Sequence, residues 1–437
     1  MNTIINPFIQ NGVFPEQAIV PTSVVRSLFS PLSRDGGAVE VYGERGMGKS
    51  TILSYIINPP DEWMEYFKNH IFVFLNCQDT VIPATANQFW VQITKQLERK
   101  LETSPIKEKC LALIARSKEG LEIDHNDFHE VLDVSGEAHR KIVLVLDDFN
   151  VLIRTDPENL SSNRAFLQGL RSLTTRDSNK ANLVVSTRYS LYESCKPLAL
   201  PNYSAFDNGF SLCRLRFFQE KELLSLLDRV AQTGQPLFNS LERNYVAYLS
   251  GFHPQLAQIA AAQTFDYRIE VGAPLNDLSP VGEKFKNEAR PIFESLFWGA
   301  SEIERVLLML VALQSLNGKV TDVNYDINDL PKVFSEKERE INDLTERGLL
   351  KRVQASPPLW DLFSPIFKWW ILKEIESEDQ NQLEERRKIW GNLLTQKRAE
   401  QVGKFVEFIR KNKKEIEDFG KLVLRFVGWE VPNLPSS

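Results

Sequence analysis

Residues 38–57 read AVEVYGERGMGKSTILSYII, a short β-branched run, a glycine-rich loop and then an apolar stretch of helical character. No other feature restricts the fold as tightly, because the loop Gly43–Thr51 fits the pattern GxxxxGK(S/T) in the setting that gives the pattern meaning, strand before and helix after. In that setting glycines let backbone N–H groups wrap phosphate oxygens, and the helix N-terminus adds positive potential. Gly43, Gly46 and Gly48 are the expected phosphate-wrapping positions, while Glu44, Arg45 and Met47 occupy variable ones where only the amides matter. Lys49 is expected to bridge β- and γ-phosphates, Ser50 to ligate Mg2+, and Thr51 to lead into the helix.

The second half of such a site needs a carboxylate at the end of a buried strand. KIVLVLDDFN supplies it: Asp147 is assigned to the Mg2+ shell, and Asp148 to positioning or deprotonating an attacking water. Asp148 has a shorter arm than a glutamate, so slow turnover is expected. Further strand-like runs at 71–75, 183–187 and 211–215 alternate with helical-length stretches such as 86–101 and 161–175. That alternation marks a parallel sheet covered on both faces. The expected fold class is therefore α/β, a P-loop NTPase parallel sheet covered by helices, over residues 1–215.

From Phe217 onward strand signals nearly vanish, and three amphipathic helices make a small all-α domain over 216–270. Residues 281–375 combine helices with a hairpin (LLKRVQ and LWDLF about the turn ASPP), which suggests a winged helix. Within it, SEKE predicts a helix start at Ser335 with a capping box to Glu338, and a helix end at Gly348. The remainder, 376–437, reads as a helical, basic C-terminal segment.

A net charge of −6 over 437 residues argues against a nucleic-acid binder that uses its whole surface. Cys77, Cys110, Cys195 and Cys213 lie far apart with no CxxC pair, which suits a reducing cytoplasm and buried small side chains. The N-terminal MNTIINPFIQNG lacks a basic region followed by a long apolar core, so no secretory signal is expected. The most apolar stretch, 306–313, is too short for a bilayer, so no membrane span is expected.

With these motifs in place the chain resembles the AAA-like and STAND class of P-loop ATPases, including archaeal-type AAA ATPases, over roughly residues 6–375. Asn6, Pro7 and Phe8, followed by Val13 and Phe14, are similar to an N-terminal segment that packs on adenine; Phe8 reads equally as core. The next family signature is replaced here by AIVPTSVVRSL. Ser186-Thr187-Arg188 matches a sensor position, which implies an arginine at the γ-phosphate, against the alternative of an ordinary surface arginine. Gly251-Phe252-His253-Pro254 resembles an element that starts a lid helix, which implies that His253 and Pro254 lie at the nucleotide; the alternative is a histidine that caps a helix. The all-α domain would then be the lid.

The resemblance implies ATP and Mg2+ as ligands and ATP hydrolysis as the reaction. Two uses are open: a nucleotide-driven switch acting on a separate protein effector or through self-association, or a DNA-associated ATPase of the origin-recognition or transposition-regulator type. The proposed recognition helix, SEKEREINDLTERG, has five acidic and three basic residues, which weakens direct DNA reading. Residues 381–425 carry twelve Lys or Arg against seven Asp or Glu, and could meet nucleic acid, an acidic partner or only solvent.

Overall fold

The structure is a computed structural model that describes residues 6–8, 19–79, 85–198, 206–228, 237–272, 275, 277–316, 330–353, 359–377 and 380–425. The expected contributions of Val13 and Phe14, and the turn ASPP, lie outside the described residues. The chain forms two compact units: Val13–Glu44 with Gly48–Leu215, and Met1–Gly12 with Arg45–Met47 and Arg216–Ser437. Among the described residues no helix is long and apolar enough to cross a membrane.

In the first, sheet-bearing unit, five parallel strands run β1 (Ala38–Tyr42), β2 (His70–Asn76), β3 (Lys141–Asp147), β4 (Ala181–Thr187) and β5 (Phe210–Arg214), in the spatial order β2-β3-β4-β1-β5. Each apolar run read from the sequence is one of these strands. The run is uninterrupted because a parallel strand buries side chains on both faces: every residue of β4 is buried, and all but the first of β3. Ile142, Leu144 and Leu146 point into one apolar core with residues of helices Ala86–Arg99, His125–Glu137 and Leu160–Thr175. Alternate residues Val143 and Val145 face the opposite way and are fully buried. Between β2 and β3 also lies the helix Pro105–Lys118, opened by a side-chain cap from Ser104 as His125–Glu137 is by one from Asp124. The four cysteines are buried and none forms a disulfide.

The second unit is mostly helical. Glu220–Leu227, Ser240–Ser250 and Pro254–Val271 are the three helices expected after the sheet. The helices Ser279–Trp298 and Glu302–Gln314 follow, the latter opened by a capping box of Ser301 and Glu304. An antiparallel pair, β6 (Leu350–Val353) and β7 (Leu359–Leu362), is followed by Pro365–Ser377. One local expectation is corrected: Ser335 does not start a helix. A helix already runs Leu330–Glu336 and contains Ser335, and the next, Glu338–Glu346, starts after Lys337 without a side-chain cap. Pro331 suits the first turn of the earlier helix, so the chain enters helix before the serine is reached. Gly348 has φ +82°, the left-handed stop expected there. Three helices, Gln380–Leu393, Gln396–Lys411 and Lys413–Leu424, close the described chain.

Candidate functional site

Strand β1 lies between β4 and β5, and β4 separates it from β3, so the carboxyl ends of β1, β4 and β3 lie side by side in sheet order. Crevices at such ends, where the strand order reverses, are where open α/β sheets bind ligands. Gly43 leaves β1 with its N–H donating to Thr187 O at 3.3 Å. Gly48, at φ +84°, caps the helix Lys49–Ile57, whose first turn contains no acidic residue. A glycine there supplies the left-handed turn and no side chain to occupy the helix amides, which leaves those donors to an incoming anion. Lys49 Nζ donates to Gly43 O at 2.8 Å and Glu44 O at 3.0 Å, folding the ammonium over the loop. Burial pushes the Lys49 ammonium below the usual lysine range, while the charges of Asp148, Glu44 and Asp147 oppose that shift. Ser50 is exposed and Thr51 half-buried in the first turn of the same helix.

The two aspartates at the end of β3 are not equivalent. Asp147 is buried, and its Oδ1 accepts from the Ser186 hydroxyl on β4 and from Asp148 N at 3.0 Å. The Ser186 oxygen in turn accepts from Asp148 N at 2.9 Å. Asp148 takes a left-handed backbone, φ +50°, which aspartate tolerates better than most residues. Burial and the adjacent Asp147 charge raise the Asp148 carboxyl, and Lys49 pulls it back. A carboxylate raised in this way is a better proton acceptor than an ordinary aspartate. As for a metal, among the described residues no three His, Cys, Asp or Glu come together. The donors present, the Ser50 hydroxyl and the Asp147 carboxylate, suit a hard cation that keeps waters and takes phosphate oxygens for its remaining ligands.

Arg188 follows β4, and its Nε and Nη2 donate to Glu44 Oε2 at 3.2 and 3.0 Å. Glu44 is only 3% exposed, so its side chain has a defined role that the sequence pattern did not reveal. Glu40, in the middle of β1, is also buried: its Oε1 accepts from Thr187 Oγ1 at 3.3 Å and Leu191 N at 2.6 Å, on either side of Arg188. Glu40, Glu44 and Ser186 are thus added to the expected residues. The one available signal was the acidic residue inside an otherwise apolar strand, AVEVY.

The remaining expected residues belong to the helical unit. Phe8 is 4% exposed, stacked on Phe238 with ring centroids 5.3 Å apart and edge-on to Phe265 at 6.4 Å. Asn6 fixes that segment: Nδ2 donates to Ala262 O at 3.2 Å and Asp266 Oδ1 at 2.8 Å, and Oδ1 accepts from Phe8 N. Pro7 lies between them and is half-buried. His253 caps Pro254–Val271; its Nδ1 accepts from Leu256 N at 3.3 Å, which leaves Nε2–H to donate to Arg45 O at 3.0 Å. Pro254 occupies the first helical position, where its missing N–H costs nothing. Gly46, φ +79°, packs against this histidine; a Cβ there would come 2.7 Å from His253 Cε1 and 2.5 Å from Gln255 Oε1. Met47 is buried.

No curated protein matches the sequence. Among solved structures, a Walker-type ATPase of Pyrococcus abyssi superposes with a TM-score of 0.50 at 12% identity, covering 82% of this chain and 96% of that one. The ORC2 protein of Aeropyrum pernix, in ADPNP–ADP complexes, gives 0.47 at 13% identity over 95% and 97% of the two chains. The first of these likenesses shows a shared fold. Residues 22–185 match the family model of the AAA ATPase domain, a span that takes in the loop Gly43–Thr51 and both aspartates and ends three residues before Arg188.

Proposed function

We propose that this protein binds ATP in the loop after β1 and hydrolyses it slowly to ADP and phosphate with Mg2+, as a nucleotide-driven switch acting on a separate protein effector. The observation that carries the reading is one constellation within the sheet-bearing unit: Lys49 folded over the glycine loop, two unlike aspartates ending β3, and Arg188 after β4. The match of residues 22–185 to the AAA ATPase domain supports the same reading. Lys49 and the amides of Gly43, Gly46, Met47 and Gly48 would hold the phosphates, with Ser50 and Asp147 holding Mg2+ and Thr51 in the first helical turn beside them. Mg2+, when bound, neutralises charge on the β- and γ-phosphates. Asp148, with its raised carboxyl, would steer the water and take its proton as the water oxygen bonds to γ-phosphorus and the bond from γ-phosphorus to the bridging oxygen breaks, releasing ADP.

Arg188 would tell triphosphate from diphosphate. Asn6, Pro7 and Phe8 would back the adenine, and His253 and Pro254 would begin a lid helix, with the lid at 216–270 and a winged helix at 281–375. Titration with a fluorescent ATP analogue tests the site. Lys49→Ala should abolish binding, and Asp148→Asn should keep it while lowering kcat roughly hundredfold. Undiminished affinity in the lysine variant would remove the site assignment. A second reading, a DNA-associated ATPase, draws on the basic balance of residues 381–425.

A further inference from the structure

Phosphate binding does not call for the Glu44–Arg188 pair. A carboxylate within an anion-binding loop repels the ligand unless a cation neutralises it, and here Arg188 is such a cation, with Nε and Nη2 on one oxygen. The two partners differ in access: the Glu44 side chain is 2% exposed, that of Arg188 26%. Lys49 holds the Glu44 carbonyl, and Glu40 holds the backbone on the far side of Arg188 through Leu191 N. The glutamate is therefore fixed, and the guanidinium is the partner that an incoming anion reaches.

We propose that Glu44 is a positioning and specificity-determining residue, whose carboxylate holds Arg188 as an internal stand-in for the γ-phosphate, so that a third phosphate on the nucleotide must compete for the guanidinium. The inference rests on the nucleotide-binding reading above. ADP lacks the competing group and leaves the pair intact. ATP draws the arginine toward itself and costs the buried carboxylate its two Arg188 hydrogen bonds, a penalty charged to the triphosphate alone. Glu44 thus discounts ATP affinity and couples the position of Arg188 to the third phosphate.

The experiment measures affinities for ADP and a non-hydrolysable ATP analogue in wild type, Glu44→Gln, Arg188→Gln and the double variant. Glu44→Gln should bind the analogue on the order of tenfold tighter, with ADP affinity changed by less than about threefold. That gain should vanish in the Arg188→Gln background. An unchanged ratio in Glu44→Gln overturns the proposal, and so does a gain that persists or grows without Arg188, which would mean plain charge repulsion. If circular dichroism shows that Glu44→Gln does not fold, Glu44→Asp, one methylene shorter, should shift the ratio in the same direction, and no shift overturns the proposal. Wild-type protein that binds neither nucleotide removes the underlying reading, and this inference with it.

Discussion

Glu40 places a carboxyl where β1 should carry an apolar side chain, and burial raises it from 4.5 to about 7. Its bonds to Leu191 N and Thr187 Oγ1 act the other way but do not offset burial. The folded chain therefore keeps this proton between pH 4.5 and about 7, while the unfolded chain gives it up. The stability this group contributes is complete below its ordinary value and is lost as pH rises through the folded one. The shift corresponds to about 3 kcal/mol. Glu40→Gln keeps an acceptor oxygen for both donors and does not titrate. Urea unfolding should therefore show the variant gaining about 2–3 kcal/mol on wild type between pH 5 and pH 8. A difference that stays flat across that range contradicts the argument. The same scale explains what the sequence hid. Lys49, Ser50 and the aspartates were open to nomination from the sequence because the pattern they fit lies in their spacing along the chain. Glu44 and Ser186 were not, because each acts on a residue more than thirty positions away that only the sheet brings near.

Elements were legible wherever burial or capping writes itself into consecutive residues. The five parallel strands are short, mostly apolar runs, so their positions could be read from the sequence. Pro105–Lys118 and His125–Glu137 were not singled out although their caps, Ser104 and Asp124, were there to be read. The helix start expected at Ser335 was displaced because a local signal lost to a helix already under way. The corner between Ser240–Ser250 and Pro254–Val271 shows the opposite case, in which every residue agrees. Gly251 ends the first helix in the left-handed region, Phe252 follows at φ +67°, His253 caps the second helix and Pro254 begins it. A Cβ on Gly251 would lie 2.3 Å from Phe363 O and 2.6 Å from the Phe363 ring, closer than any side chain sits. Gly251→Ala combines a disfavoured φ with a clash against backbone, so it should lower unfolding stability by about 2–4 kcal/mol. Denaturant midpoints check this, and a loss under about 0.5 kcal/mol would show that the corner relaxes freely.

Charge belongs to the whole molecule, and there the basic balance of the C-terminal helices reads differently once folded. Residues 381–425 sum to +5 within a chain of net −6, which by sequence leaves room for a nucleic-acid face. Several of those cations are already engaged. Arg386 is buried, its guanidinium 5.8 Å from the Phe297 ring centre. Arg387 pairs with Glu407 at 2.5 Å, Lys413 with Glu376 at 3.5 Å and Lys421 with Asp418 at 3.0 Å. Exposed pairs of this kind add little stability, yet each sets a carboxylate beside a cation that phosphate would otherwise meet alone. The helix Glu338–Glu346 adds acidic residues where a groove-reading helix carries basic ones. Six to ten phosphate contacts would make the logarithm of affinity fall with that of salt at a slope of about −5 to −9. For this chain, anisotropy titrations with duplex DNA between 50 and 200 mM salt should instead give a slope shallower than about −2 and binding weaker than about 10 μM. That outcome removes the support that the basic balance of residues 381–425 lends to the DNA-associated reading. A steep slope that is lost when Lys411, Lys413 and Lys414 are changed to glutamine would instead make the C-terminal helices a DNA-binding element and return the DNA-associated reading to first place.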